Sequence, residues 1–344
     1  LIPSGVSACP ADQAVVPTAV GRANCNLGVV RRRSNTGVSD YEGLQTEFRA
    51  TNLANQFTGR IAYTWSKTTD NASEIFGSFA GGGTTAFSQN PYDFVHSEHG
   101  LSGLDIPQNL ALSFYEAIPA FRDQHGWKGK ILGGWGLSGS YIISSGQTYT
   151  PTQFFINGTV SDFGFLNSFN SGAENLRPFV SNLSAPASNV GIFAADACNY
   201  AGIGCELAPN ALLQFNSINA NGTEGFTPAS AVRFIVNGPE ANSVFNTPYG
   251  NAGRNTLRDY QTNIANFALY KTVVATERVR VQFHVEMENV FNHPNFYSID
   301  PFVDDAGFAT EGTGFALPSL FSGANPFTLS QGQRHVRFGL KILF

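Results

Sequence analysis

At 344 residues the chain is long enough for one large domain or two ordinary ones. Only 13% of its residues are charged, about half the usual share, while 36 Gly and 30 Phe are far above the usual count. A net charge of -5 leaves no basic footprint for nucleic acid, and no apolar run approaches the ~20 residues that a membrane-spanning helix needs.

These totals fit an outer surface that need not face water, although a Gly- and Phe-rich soluble β-protein has the same composition. The opening residues, Leu1-Ile2-Pro3-Ser4-Gly5, lack the initiating Met, basic region and apolar region of a secretory leader. The expectation is a leader already removed, or a piece of a longer chain. Residues 1–40 carry Pro, Gly and Asn with a basic knot at Arg31-Arg32-Arg33, and read as an extracellular loop region. The rest, 41–344, reads as strand-bearing chain.

Seven stretches alternate apolar and polar side chains, as a strand with one greasy and one wet face must. Tyr41 to Ala50 sets Leu44, Phe48 and Thr46 against Gln45, Glu47 and Arg49. After a short turn, Phe57 to Lys67 sets Phe57, Ile61, Tyr63 and Trp65 against Arg60, Thr64 and Ser66. The period vanishes in a long loop at about 68–107 and returns in Gln108 to Ala117, with Leu110, Leu112 and Phe114 together. A charged, Gly-containing connection then leads to Trp135 to Ser144, where Ile142 is the one apolar residue on the polar side. The longest aperiodic region, about 146–261, admits a small strand near Ala231 to Val236. Asn263 to Thr272 follows, then a tight turn and the clearest strand, Val279 to Glu288. A third long loop at about 292–330 precedes the closing Val336 to Phe344.

Each strand is long enough for the ~9–11 residues that cross a bilayer on a tilt. Their connections run short, long, short, long, short, long. Bacterial outer-membrane barrels alternate in this way, with short periplasmic turns and long extracellular loops. A sandwich gives no reason for long loops to gather at one end. The fold class expected is therefore an all-β, antiparallel transmembrane β-barrel in the cell outer membrane. About seven strands is an odd number and too few to close a bacterial barrel, which begins at eight. Open edges in lipid would leave unpaired N–H and C=O groups at several kcal/mol each. The expectation is the C-terminal part of a larger barrel with strands before residue 1; the alternative is a small closed barrel with an unrecognised strand in the first forty residues.

Cys9, Cys25, Cys198 and Cys205 all lie in aperiodic stretches. Proximity in sequence suggests disulfides Cys9–Cys25 and Cys198–Cys205 in an oxidising compartment, with free thiols as the alternative. Their spacing matches no zinc pattern. His96 and His99, near Glu98 and Asp105, have no nucleophile-bearing elbow beside them and read as a polar loop rather than a catalytic or metal site. Gly81-Gly82-Gly83 lacks the Lys-Ser/Thr of a phosphate loop. No enzymatic activity and no cofactor is expected. Arg60, Arg280, Gln282, His284, Glu286, Glu288, Arg337 and Lys341 lie on the polar sides of their strands. An Arg or Lys facing lipid near the midplane costs roughly 2–4 kcal/mol, so these residues are expected to face the lumen. There they pair across strands, or some of them contact a plug or line a solute path.

Several runs resemble the barrel of TonB-dependent receptors of the Oar-like type. They are Tyr41-Glu42-Gly43-Leu44-Gln45, Tyr63-Thr64-Trp65-Ser66-Lys67 with Asp70-Asn71-Ala72, and Leu132 to Gly139 with Ser145-Gly146-Gln147. Gly253-Arg254-Asn255-Thr256-Leu257-Arg258, Glu277 through Glu286, Asn289 to Phe296 and the closing Phe338 to Phe344 complete the set. The resemblance implies a 22-stranded barrel with an N-terminal plug and a box that engages the TonB complex, importing a bound ligand at the expense of the proton-motive force. It also implies that the terminal aromatic, Phe344, is read by the outer-membrane assembly machinery. The chain shows no plug and no TonB-engaging segment, so gating and coupling are expected to need the missing N-terminal part. The expected partners are outer-membrane lipid, the missing strands and plug, the TonB complex and the assembly machinery. The alternatives are a surface or adhesive barrel with binding loops and no active transport, and a soluble β-sandwich lectin.

Overall fold

The computed structural model describes residues 35–73, 95–153, 177–201, 210–215, 225–247, 249–276, 278–295, 301, 303 and 333–344. Seven long strands form one antiparallel sheet: β1 (Ser39–Leu53), β2 (Phe57–Asp70), β4 (Gln108–Ala117), β5 (Trp135–Ser144), β12 (Thr262–Val274), β13 (Arg280–Glu288) and β14 (His335–Leu343). They pair in that order, and the short β3 (Gly100–Leu101) adds to the end of β2. β1 and β14 are edges and do not pair with each other, so the sheet is not closed.

The seven strands stand where the alternation places them, with ends that differ by three residues at most. β4 and β5 begin and end where expected, whereas β1 and β2 each run further, at 15 and 14 residues. The turn between β1 and β2 is made by Asn52, Ala54 and Asn55 at positive φ. Asn tolerates that region because its short polar side chain bonds locally, and Asn52 Nδ2 donates to Asn55 Oδ1 at 3.3 Å.

Register carries the alternation from strand to strand. Phe48 faces Ile61, which faces Leu112, which faces Tyr141, which faces Ala265. Further along, Leu269 faces Val285, which faces Phe338. One side of the sheet is thus a continuous apolar band. It is not covered: Phe48, Trp65, Phe338 and Leu340 are 67%, 59%, 72% and 64% exposed. Among the described wall residues only Ala265 and Ala268 are buried apolar side chains. A sandwich would bury this band beneath a second layer; among the described residues neither face of the sheet has a core.

The protein core lies in the 146–261 stretch, which has no strand period in the sequence. Its elements are β6 (Thr148–Tyr149), β7 (Phe179–Val180), β8 (Val190–Phe193), β9 (Leu212–Gln214), β10 (Phe234–Ile235) and β11 (Leu257–Arg258), with helices α2 (Ala194–Ala201) and α3 (Pro239–Phe245). β7, β10, β8 and β9 form a small sheet in which β10 runs parallel to β8. Val190, Ile192, Leu213, Phe215, Phe234 and Val236 pack into one buried cluster, and Phe179 stacks on Phe245 with ring centroids 4.2 Å apart. The strand expected near Ala231 to Val236 is confined to Phe234–Ile235, because Ala229–Ala231 turns into a 3-10 helix. A further difference is α1 (Gly126–Leu132), a seven-residue helix in the connection between β4 and β5.

Candidate functional site: the polar wall and the outer subdomain

The polar side of the sheet holds every residue singled out for it. Arg60 lies on the side of Ser113, Ser140 and Asn266. Arg280, Gln282, His284, Glu286 and Glu288 share that side with Arg337 and Lys341. Several are tied together. Arg60 donates to Glu47 at 2.8 Å, Arg49 also reaches Glu47, Arg337 pairs with Glu288 at 3.2 Å and His284 lies 3.7 Å from Glu286. Neutral links join them: Gln282 Nε2 donates to Thr272 Oγ1 at 3.3 Å, and the hydroxyls of Ser138 and Tyr270 lie 3.0 Å apart. Arg280 and Lys341 form no ion pair among the described residues. Near the short turns this wall opens into a cleft of about 490 Å³, lined by Tyr115, Arg122, Trp135, Tyr270 and Gln282 among others.

At the opposite end the long connections are fastened to the wall by three arginines. All three come from the 146–261 stretch, and all three carboxylates from the end of β2 or the connection after it. Arg177 pairs with Glu98 and Arg254 with Asp70, all four side chains at most 6% exposed. Arg258 pairs with Asp105 at 2.7 Å. Two of the arginines also satisfy backbone. Arg254 donates to the Glu98 carbonyl at 2.9 Å, and Arg258 to the Asp105 and Gly146 carbonyls at 2.9 Å. Asp105 in turn accepts the Thr68 N–H at 2.7 Å, and Asn255 Nδ2 donates to the Leu101 carbonyl at 2.7 Å. Buried charges survive only when paired and hydrogen-bonded, and this lattice meets both conditions. Glu98 and Asp105 therefore face arginines, while His96 and His99 on either side of Glu98 are exposed.

The run from Asn289 to Asn295 builds the outer end of β12 and β13 by mimicking backbone. Asn289 and Asn292 take positive φ. Asn289 Oδ1 accepts the His293 N–H at 3.0 Å while its Nδ2 donates to the His293 carbonyl at 2.8 Å. Asn295 exchanges the same pair of bonds with the backbone of Asn263, at 2.7 and 2.9 Å. This is the physical content of a motif that sequence reading could give only as a likeness.

Among the titrating groups of the outer subdomain, burial pushes the Asp196 carboxyl up to about 6, against two backbone N–H groups that favour its charged form. Burial also raises Asp259, opposed by the Tyr260 N–H. Among the described residues no cluster of His, Cys, Asp and Glu could hold a metal ion. Cys9, Cys25 and Cys205 lie outside the described residues, as does the Cys198 side chain. Phe344 is 96% exposed, at the end of β14.

No curated protein matches the chain. A family model, described as an outer membrane beta barrel domain, matches residues 4–315. With an uncovered apolar band on one side of an antiparallel sheet, a paired polar wall on the other and long connections gathered at one end, the chain belongs to the outer membrane beta barrel domain family and is a protein of the outer membrane.

Proposed function

We propose that the chain is the wall and outer subdomain of a TonB-dependent transporter of the Oar-like type, which binds a solute from outside and admits it through the lumen. The observation that carries this reading is the three-arginine clamp. It fastens a subdomain with its own core to the end of the wall where the long connections leave, and among the described residues Arg280 and Lys341 on the polar side form no ion pair. A fixed binding body above a charged wall suits capture followed by passage. The edges β1 and β14 are read as the seams at which further strands complete the wall, since unpaired edge groups in hydrocarbon cost several kcal/mol each. Energy coupling is assigned to a plug and a TonB-engaging segment beyond these residues. No enzymatic step or cofactor enters the proposal.

The test is depletion of solutes from a defined medium by cells bearing the intact gene, with and without the TonB complex, at equal surface abundance. Depletion that requires the TonB complex supports import. Replacing Arg280 by Gln then asks whether the wall charge matters: unchanged uptake removes Arg280 from the path. A second reading, a surface-binding protein without transport, is favoured by the outer subdomain's independent core, and predicts binding that ignores the energy state of the cell.

A further inference from the structure

The connection between β4 and β5 is a short turn by position, yet it contains α1, whose large apolar residues are all exposed. Trp127, Ile131 and Leu132 are 70%, 58% and 49% exposed. Helical residues four apart share a face, so Trp127 and Ile131 project together. Gly129 backs onto the protein on the other side: it is buried, and a Cβ there would lie 2.7 Å from the Gln124 carbonyl carbon. Lys128 and Lys130 flank the apolar pair, with the Lys128 ammonium 5.6 Å from the Trp127 ring centre. A water-facing helix would place its charges where Trp127 and Ile131 stand.

The helix is bolted to the apolar side of the wall. Trp135 and Lys271 are register partners on that side. Trp135 Nε1 donates to the Ile131 carbonyl at 3.0 Å, and Lys271 Nζ donates to the same carbonyl at 3.0 Å and to that of Gly133. The Lys271 ammonium also sits 5.2 Å from the Trp135 ring centre. The apolar face of α1 therefore continues the lipid-facing band beyond the strand ends, at the short-turn, periplasmic edge.

We propose that α1 is an interfacial foot which lies in the periplasmic leaflet, seating Trp127 and Ile131 among the upper acyl carbons and Lys128 and Lys130 against phospholipid phosphates. Trp prefers this depth because its ring is amphipathic. Lysines with long apolar stems reach the headgroups from such a position, and negative surface charge attracts them.

The test uses the full chain in bilayers of phosphatidylethanolamine and phosphatidylglycerol with lipids brominated at graded depths. Wild type minus Trp127→Phe isolates the emission of Trp127, and wild type minus Trp65→Phe confirms that the wall is inserted in the preparation used. The expected result is blue-shifted Trp127 emission, lost more to bromines near the headgroup than to bromines near the bilayer centre. Trp127 that is quenched by acrylamide and ignores bromolipid overturns the proposal and marks the face as exposed to water or to a periplasmic partner. In a second arm phosphatidylglycerol is replaced by phosphatidylcholine. Quenching of Trp127 should fall in the wild type and not in the variant carrying Lys128→Gln and Lys130→Gln; an equal fall in both overturns the phosphate contact. Added inorganic phosphate should leave the quenching unchanged.

Discussion

Asp196 and Glu240 cap each other's helices. Asp196, on α2, accepts the Glu240 and Ala241 N–H groups at 2.9 and 3.1 Å, at the start of α3. Glu240, on α3, accepts the Ala195 N–H at 2.7 Å near the start of α2, and the Asn210 N–H at 2.7 Å. Two short helices, each too short to be stable alone, thus hold one another through the donors that helix starts leave open.

This exchange makes the outer subdomain sensitive to pH. The buried Asp196 carboxyl, at about 6, lies above its ordinary 3.8. Between those values the folded form holds the proton and the unfolded form has lost it, so stability from this group is full below about pH 4 and is lost as pH rises through 6. The ceiling is about 3 kcal/mol. Hydrogen exchange of the amides in α2 and α3 should be slower at pH 5 than at pH 7.5, after correction for intrinsic rates. Asp196→Asn, which still offers one acceptor, should remove that difference.

Replacing Arg254 by Ala leaves Asp70 buried without its cation, a change that costs about 3–5 kcal/mol. The outer subdomain should then become open to protease, while the seven-strand wall keeps its heat-modifiable migration on gels. Protease resistance equal to wild type would show that the clamp is not what holds the subdomain down.

The strands were legible and the clamp was not, for different physical reasons. A strand between lipid and lumen must alternate, so Val281, Phe283 and Val285 announce their side without help from any other part of the chain. Val190 to Phe193 are all buried, which erases alternation, and a four-residue strand buried on both sides looks like loop. Helix α1 has seven residues, two of them Gly, too few turns to display a period. The clamp joins residues 79, 184 and 153 apart in sequence. One signal is present in the sequence: in a chain this poor in charge, Arg254 and Arg258 lie outside any long strand and need partners.

Leu112 and Ser113 are neighbours in the middle of β4 on opposite faces of the wall. Leu112→Arg should cost roughly 2–4 kcal/mol of membrane stability, because the charge enters hydrocarbon. Ser113→Arg should cost far less, since the charge stays on the polar side and meets only repulsion from its register partner Arg60. Urea titration of the protein in bilayers measures both, and equal losses would remove the distinction between the faces.

Phe344 shares the side of Phe338, Leu340 and Ile342 by the alternation of β14. If assembly machinery reads that terminal ring, Phe344→Ser should lower the amount of protein reaching the outer membrane severalfold. The stability of what arrives should be unchanged, because the side chain has almost no protein contact to lose. Normal abundance would separate Phe344 from assembly.

Spin labels placed one at a time along β13, with the four native cysteines as serines, test most directly which side meets lipid. In bilayers, labels at Val281, Phe283, Val285 and Met287 should collide readily with oxygen and poorly with a water-soluble nickel chelate. Labels at Gln282, His284 and Glu286 should show the reverse, giving an oscillation of period two. Labels at Val281 to Met287 that are shielded from both reagents would place protein over the apolar band, and the wall would not be a membrane wall.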